Sequence, residues 1–304
     1  LLGELSRQRF KFITKLPPIP VETSHVTDWV QTQIKASLSR LKINSLHGLL
    51  LHKPSDLSGR HGEELYESIC QLKEDRVIGK FGISIYEPDE LEKLNYSKEA
   101  IKEFFREKVL ITNFGEHELE GFLYPATYNL TPGESISSVR KRLIDKFAEI
   151  VAELNFVTEI KEKNLTPYEG LIIASIVQGE GYSEDDFKKI SRVIFNRLSA
   201  GMPLQMDSTV LYALKERRIA LSNRDISLTS SYNTYNKKGL PPTPIGNPGR
   251  AALAATIAPE PGDWLYFVTV APSETKFTAS YKEFLKFKKE FKKNLNAGLF
   301  GESR

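Results

Sequence analysis

Apolar and polar positions alternate in two registers over the first third of the chain. Val26, Trp29, Val30, Ile34, Leu38 and Leu41 recur three and four residues apart, which predicts a helix over 25–41. Residues 63–74 repeat that spacing. Short apolar runs at 10–14, 46–52 and 81–86 read as strands, and a further helix starts over 88–94. Strands alternating with helices predict βαβ units and a parallel sheet over residues 1–95.

The densest apolar run is 171–177, and it leads to a carboxylate, Glu180. Thr166 precedes the run as a helix N-cap, Pro167 takes the first helical position and Glu169 the third. That is a capping box with a proline start. Gly181 stands where a helix C-terminus favours a left-handed residue. The pattern predicts a helix over 167–180, apolar on nearly all sides and therefore buried. Glu180 lies in its last turn, where the helix dipole disfavours negative charge, and burial acts the same way. A carboxyl held protonated near neutral pH is what a general acid requires. The pattern alone also fits an ordinary solvated glutamate at a helix end.

Helical spacing over 97–105 is followed by the segment 119–128. Residues 128–135 read as strand, turn and helix cap. Val139, Leu143, Phe147, Ile150, Val151 and Leu154 then form one stripe on the next helix. This strand–turn–helix order resembles half of a LysM-like glycan-binding module. Beyond Glu180, Ser183 caps a second helix whose stripe is Phe187, Ile190, Ile194 and Leu198. Residues 201–210 form a polar loop. Pro and Gly are dense over 238–249, which fixes an irregular loop at low entropic cost. The neighbouring Tyr and Asn residues suit sugar faces and hydroxyls; a plain surface loop fits as well. A helix over 248–257, a strand over 264–270 and a terminal helix bearing Tyr281, Phe284, Leu285, Phe291 and Leu295 complete the pattern.

At 304 residues and 40% hydrophobic content, the chain has room for two or three folded domains. A formal net charge of +3, without a basic stripe interleaved with aromatics, argues against nucleic acid as a partner. The lysines of 286–293 read as a solvated helix face. One cysteine, Cys70, excludes an internal disulfide. No run approaches the roughly 20 apolar residues of a membrane span. No signal peptide opens the chain, and its start at Leu1 without Met reads as a fragment or a processed form. His25, His47, His52, His61, His117 and Cys70 all precede residue 118. Residues 118–304 therefore lack a Ser–His or Cys–His nucleophile and a His/Cys metal site, and no phosphate-cradling glycine motif is present. The carboxylates Glu180, Asp207 and Asp225 remain as candidates.

Two resemblances rest on motifs. Ile13-Thr14-Lys15, Ser37-Leu38-Ser39-Arg40-Leu41, Leu50-Leu51-His52-Lys53-Pro54 and Gly82-Ile83-Ser84 are similar to the middle of an aldo-keto reductase barrel, over about 3–95. That resemblance puts Lys15 and His52 on two members of the family's catalytic tetrad and Ser84 on a contact to the nicotinamide. The tetrad's Tyr and Asp have no counterpart here, and three β/α units do not close an eight-stranded barrel. Lys15 and His52 are therefore expected to be structural. The second set is Ala174-Ser175-Ile176-Val177-Gln178-Gly179-Glu180, Asn196-Arg197-Leu198, Gly201-Met202-Pro203-Leu204-Gln205-Met206-Asp207-Ser208-Thr209-Val210, Tyr232-Asn233-Thr234-Tyr235, Gly239-Leu240-Pro241-Pro242 and Asn247-Pro248-Gly249. With 119–128 it resembles the YceG-like family of endolytic murein transglycosylases over about 97–295, and the family's catalytic Glu falls on Glu180. Gln178, Ser208 and Ala126 depart from that family's usual Glu, Pro and acid.

The resemblances imply an α+β chain: a YceG-like catalytic domain over 156–304, a partial LysM-like module over 97–155 and an incomplete β/α segment, a TIM-barrel fragment, over 1–95. The implied reaction cleaves the β-1,4 bond between N-acetylmuramic acid and N-acetylglucosamine within glycan strands. Glu180 protonates the glycosidic oxygen, then accepts the proton of the muramic 6-hydroxyl as a 1,6-anhydro ring closes. An intramolecular nucleophile makes the second carboxylate of a hydrolase dispensable. Candidate substrate-binding residues are Gln205, Asp207, Thr209, Asn233, Tyr235 and Asn247, with Asp207 alternatively a helix cap and the tyrosines alternatively core. No cofactor or metal is expected. The implied partners are peptidoglycan glycan strands and the peptidoglycan synthesis machinery. The implied location is the cell envelope, on the periplasmic side of the inner membrane, with the family's anchor absent from this chain. The alternatives are an NADPH-dependent oxidoreductase built on the N-terminal segment and a non-catalytic peptidoglycan-binding protein.

Overall fold

The structure, a computed structural model, describes residues 12–53, 56–57, 59–83, 109–126, 128, 135–216 and 218–300. The chain divides into two compact units, residues 1–106 with 126–139, and residues 107–125 with 140–304. The expected helices over 88–94 and 97–105, the turn at 129–134 and Ser84 lie outside the described residues.

In the first unit, β1 (Ile13–Leu16), β2 (Leu46–Leu51) and β3 (Ile78–Ile83) pair in parallel in the order 1-2-3. α1 (Val26–Leu41) and α2 (Gly62–Glu74) make the crossovers. This is the βαβ arrangement that the alternation predicts. β3 opens ahead of its apolar run, because backbone pairing with β2 continues through Gly79 and Lys80 whatever their side chains. Leu16, Val30, Ile34, Leu49, Leu51, Leu65 and Ile69 fill the core. Lys15 lies near the end of β1 and His52 just after β2.

The second unit opens on a hairpin of β4 (Val109–Ile111) and β5 (Gly115–His117) that the apolar pattern does not reveal. Most of α3 (Ile136–Glu153) follows, then α4 (Phe156–Lys161), α5 (Pro167–Glu180), α6 (Glu184–Ser199), α7 (Asp207–Leu214), α8 (Asn223–Ile226) and α9 (Arg250–Ile257). β6 (Tyr266–Ala271) pairs antiparallel with β7 (Glu274–Thr278), and α10 (Tyr281–Asn296) closes the unit. β7 escapes the sequence reading because its first residues, Glu274-Thr275-Lys276, are polar.

α5 spans the predicted residues, and its capping box forms as predicted. Thr166 Oγ1 accepts from Glu169 N at 3.2 Å, and Glu169 Oε2 accepts from Thr166 N at 2.8 Å. The helix is apolar all round because it lies between two cores. Leu171 and Ala174 pack with Phe122, Phe147, Phe156 and Ile160. Ile172, Ile173, Ile176 and Val177 pack with Phe187, Ile190, Ile194 and Leu204. Each fully buried aliphatic chain contributes about 1.5–3 kcal/mol, which anchors the helix through Val177, one turn before Glu180. Gly181 departs from expectation. It is extended (φ −101°, ψ 158°), not left-handed, and glycine is needed for space: a Cβ there would approach Phe187 Cδ1 to 2.4 Å. Among the described residues no helix is long and apolar enough to cross a membrane.

Candidate active site

Glu180 is the last residue of α5, so the two cores fix its backbone. What faces it is set by Arg197 of α6, which is 4% exposed. Its guanidinium donates Nε to Leu265 O at 2.6 Å and Nη1 to Pro203 O, Leu204 O and Gln205 Oε1 at 3.1, 2.7 and 3.1 Å. This fork holds the segment leading into α7. Thr234 holds the next step: its carbonyl accepts from Gln205 N at 3.0 Å and its hydroxyl from Met206 N at 3.0 Å. The first turn of α7 is thereby delivered to α5, and Ser208 N donates to Glu180 Oε1 at 2.9 Å.

Two carboxyls meet here with different partners. Glu180 keeps a partly exposed surface, yet protein surrounds its carboxyl closely enough to push its pKa up to about 7. Burial is the main cause and the charge of Asp207 the next, while the hydrogen bonds from Ser208 act in the opposite direction. Asp207 accepts a short hydrogen bond from the Tyr235 hydroxyl. Burial raises its carboxyl too, against the pull of Tyr235 and the more distant Lys288 of α10. The Tyr235 phenol is raised in turn by burial and by Asp207. Near neutral pH Glu180 can keep its proton, with an N–H placed to stabilise the carboxylate once that proton leaves.

The other predicted residues separate into scaffold and surface. Asp207 is not the helix cap; Met206 occupies that position and Asp207 is the first helical residue. Thr209 and Asn233 are fully buried, and their polar atoms are hydrogen-bonded within the protein. Thr209 Oγ1 donates to Met206 O at 2.7 Å and lies 2.9 Å from Thr234 Oγ1. Asn233 Nδ2 donates to Ile226 O and Leu228 O at 2.9 and 2.7 Å, and its Oδ1 accepts from Tyr235 N at 3.0 Å. Both therefore hold the loop that presents Tyr235. Asn247 Oδ1 accepts from Gly121 N and Leu123 N at 2.9 and 3.0 Å, fastening the 239–249 loop to the 119–123 segment. Gln205 is exposed at φ +54° with its carbonyl on Arg197. Asp225, third residue of α8, closes a capping box with the N-cap Ser222 and pairs with Arg218 at 2.8 Å, which holds its carboxyl far below the usual range.

Sequence reasoning did not place Ser208 at the site; its backbone N–H donates to Glu180 Oε1 and its buried hydroxyl lies beside that carboxyl. It also missed Glu120 and Tyr212, while Tyr232 lies in the Tyr- and Asn-rich stretch that reads as suited to sugar. Tyr212 Oη donates to Glu120 Oε2 at 2.5 Å, its ring lies 4.9 Å from that of Tyr232, and Tyr232 Oη lies 2.7 Å from Thr243 Oγ1. Residues 201–210 read as a loop in the sequence, whereas the structure starts α7 at Asp207, which puts Ser208 and Tyr212 four apart on one helix face.

The YceG-like family model matches residues 30–290, a span that begins within the three-stranded unit. An endolytic murein transglycosylase of Bacillus subtilis (strain 168) is 36% identical over 177 residues, 58% of this chain and 49% of that protein. One from Streptococcus pneumoniae serotype 2 (strain D39 / NCTC 7466) is 34% identical over 172 residues, 55% of this chain and 31% of that protein. The chain thus spans half or less of the length of these curated relatives. A crystal structure of a yceG-like protein from Listeria monocytogenes superposes with a TM-score of 0.53 at 28% identity, covering 66% of this chain and 70% of that one.

Proposed function

The chain belongs to the YceG-like family, and from that premise we propose that it is an endolytic lytic transglycosylase, cutting the β-1,4 bond between N-acetylmuramic acid and N-acetylglucosamine inside peptidoglycan strands. The observation that carries this reading is Glu180, a carboxyl with its pKa near 7 at the end of a buried helix. Protonated Glu180 gives its proton to the glycosidic oxygen as the C1–O bond breaks, releasing the N-acetylglucosamine end. The muramic 6-hydroxyl then attacks C1 and returns its proton to Glu180, so no water is consumed and the acid is regenerated. Between the two steps the Ser208 N–H bears on the carboxylate. Asp207 is engaged by Tyr235, which suits a group that supports positive charge on the sugar better than one that activates water. Gln205, exposed beside this pair in sequence, is the predicted residue best situated to touch substrate directly.

In the same reading the protein works at the cell envelope, on the periplasmic side, alongside the peptidoglycan synthesis machinery. The parallel order of β1–β3 supports viewing the first unit as an arc of a β/α barrel. Digestion of purified sacculi in H₂¹⁸O tests the chemistry. Fragments should end in 1,6-anhydromuramic acid without the heavy isotope. Reducing ends carrying ¹⁸O would mean hydrolysis and would move a second carboxylate into the mechanism.

A further inference from the structure

Glu120 has no part in the chemistry above, and its setting is unusual. Its neighbours Leu119 and Phe122 are buried at 1% and 0% exposure and anchor the segment on both sides. Gly121 between them sits at φ +95°, where a Cβ would meet Pro244 Cγ at 2.7 Å, and its N–H is held by Asn247. The backbone that carries Glu120 is therefore rigid, while its carboxyl remains partly exposed. One carboxyl oxygen takes the Tyr212 hydroxyl. Among the described residues no Lys or Arg pairs with it, and burial raises its pKa, with Glu118 adding to the effect. A rigid, half-buried carboxyl without a counter-charge costs stability, which marks it as a candidate for ligand binding.

Its position relative to Glu180 follows from α7. Ser208, which donates to Glu180, and Tyr212, which donates to Glu120, are four residues apart on one helix face. α7 therefore carries a contact to each carboxyl from neighbouring turns, Ser208 through its backbone N–H and Tyr212 through its phenol. Tyr212 and Tyr232 bring two aromatic rings to the same place, and the Thr243 hydroxyl lies beside the second. Flat apolar rings beside a carboxyl are what an N-acetylated hexosamine offers partners for, with its apolar face, its hydroxyls and its amide N–H.

We propose that Glu120, held by Tyr212 and flanked by Tyr232, forms a subsite for the N-acetylated sugar one position along the strand from the bond cut at Glu180. This rests on the glycan-cleaving reading of Glu180 and adds a positioning residue to it. Glu120 accepts hydrogen bonds from the sugar, and the tyrosines cover its apolar face. Its effect falls on binding, with the proton transfers left to Glu180.

The test uses the full chain, defined glycan oligosaccharides prepared from peptidoglycan, and the variants Glu120→Gln and Tyr212→Phe. Each should raise KM about tenfold, the cost of one charge-assisted hydrogen bond, with kcat within about twofold and the pH dependence unchanged. On a Glu180→Gln background, where no cleavage interferes, Glu120→Gln should weaken binding of the same oligosaccharides by a similar factor. Urea midpoints accompany both variants. Unchanged KM and binding in both would overturn the subsite while Glu180→Gln still abolished lysis. A loss in kcat with a shifted pH profile would also overturn it, by making Glu120 part of the proton chemistry. So would binding loss that tracks a lowered unfolding midpoint in both variants. If Glu180→Gln keeps full activity, it is the reading of the active site itself that fails.

Discussion

Glu180→Gln should abolish activity and raise stability in the same molecule. The carboxyl rises from the usual 4.5 to about 7 in the folded chain. Between those values the unfolded chain releases a proton that the folded chain keeps. The protonated carboxyl's contribution is therefore fully present below about pH 4.5 and is lost as pH rises through about 7. A displacement of that size corresponds to roughly 3 kcal/mol across the window. Glutamine has no proton to lose, preserves the shape and can still accept from Ser208 N. Wild type and variant should therefore unfold at similar urea concentrations near pH 4.5. The variant should exceed wild type by roughly 2–3 kcal/mol at pH 8 and above. Release of soluble fragments from purified sacculi should fall at least about 100-fold over the same series, the scale of general acid–base catalysis. Such opposition of stability and function is expected where a site holds a group against its preference. If the two midpoints ran parallel from pH 4.5 to 8.5, the carboxyl would not be held high, and the physical case for a general acid would collapse.

Wild-type activity should fall as pH rises through about 7, because the acid form of Glu180 is lost there; a profile still rising at pH 8.5 would contradict the assignment. Ser208→Pro removes the N–H at Glu180 from a helix turn where proline is tolerated, so the falling limb should move to higher pH in the same assay. Arg197→Lys should destabilise by about 3 kcal/mol in urea titrations, since one ammonium cannot serve the carbonyls that the buried guanidinium serves. Gly181→Ala should cost about 1–3 kcal/mol by crowding Phe187, with no backbone strain, and a neutral result would show that α6 yields easily.

The helices were legible wherever a cap and an apolar stripe coincided. Thr166, Pro167 and Glu169 define the start of α5 by side-chain chemistry that needs no tertiary partner. The hairpin of β4 and β5 and the strand β7 were not legible, because their order comes from backbone pairing and from positive φ at Asn113 and Gly115 rather than from alternation. Glu180 was singled out by the same pattern as its helix. Its partners were not. Asn233 and Thr209 have the residue types of sugar ligands, and only burial reveals that their hydrogen bonds are spent within the protein. Ser208 acts through its backbone N–H, which no side-chain motif advertises. Glu120 meets Tyr212 across 92 positions, a pairing that no local pattern encodes.

The clasp of Asn247 on Gly121 and Leu123 has a consequence for the order in which the molecule comes into being. These hydrogen bonds close loops of 126 and 124 residues, so they form after the local helices and late in folding. On the ribosome, Gly121 and Leu123 are synthesised long before the residue that clasps them, and Glu120 waits for Tyr212. The setting of Glu120 is thus not completed on the nascent chain until residue 247 has emerged, by which time α5, α6 and α7 are already available. The amide protons of Gly121 and Leu123 keep that timing on record: in pulse-labelled refolding they should be the last of their segment to gain protection from deuterium exchange.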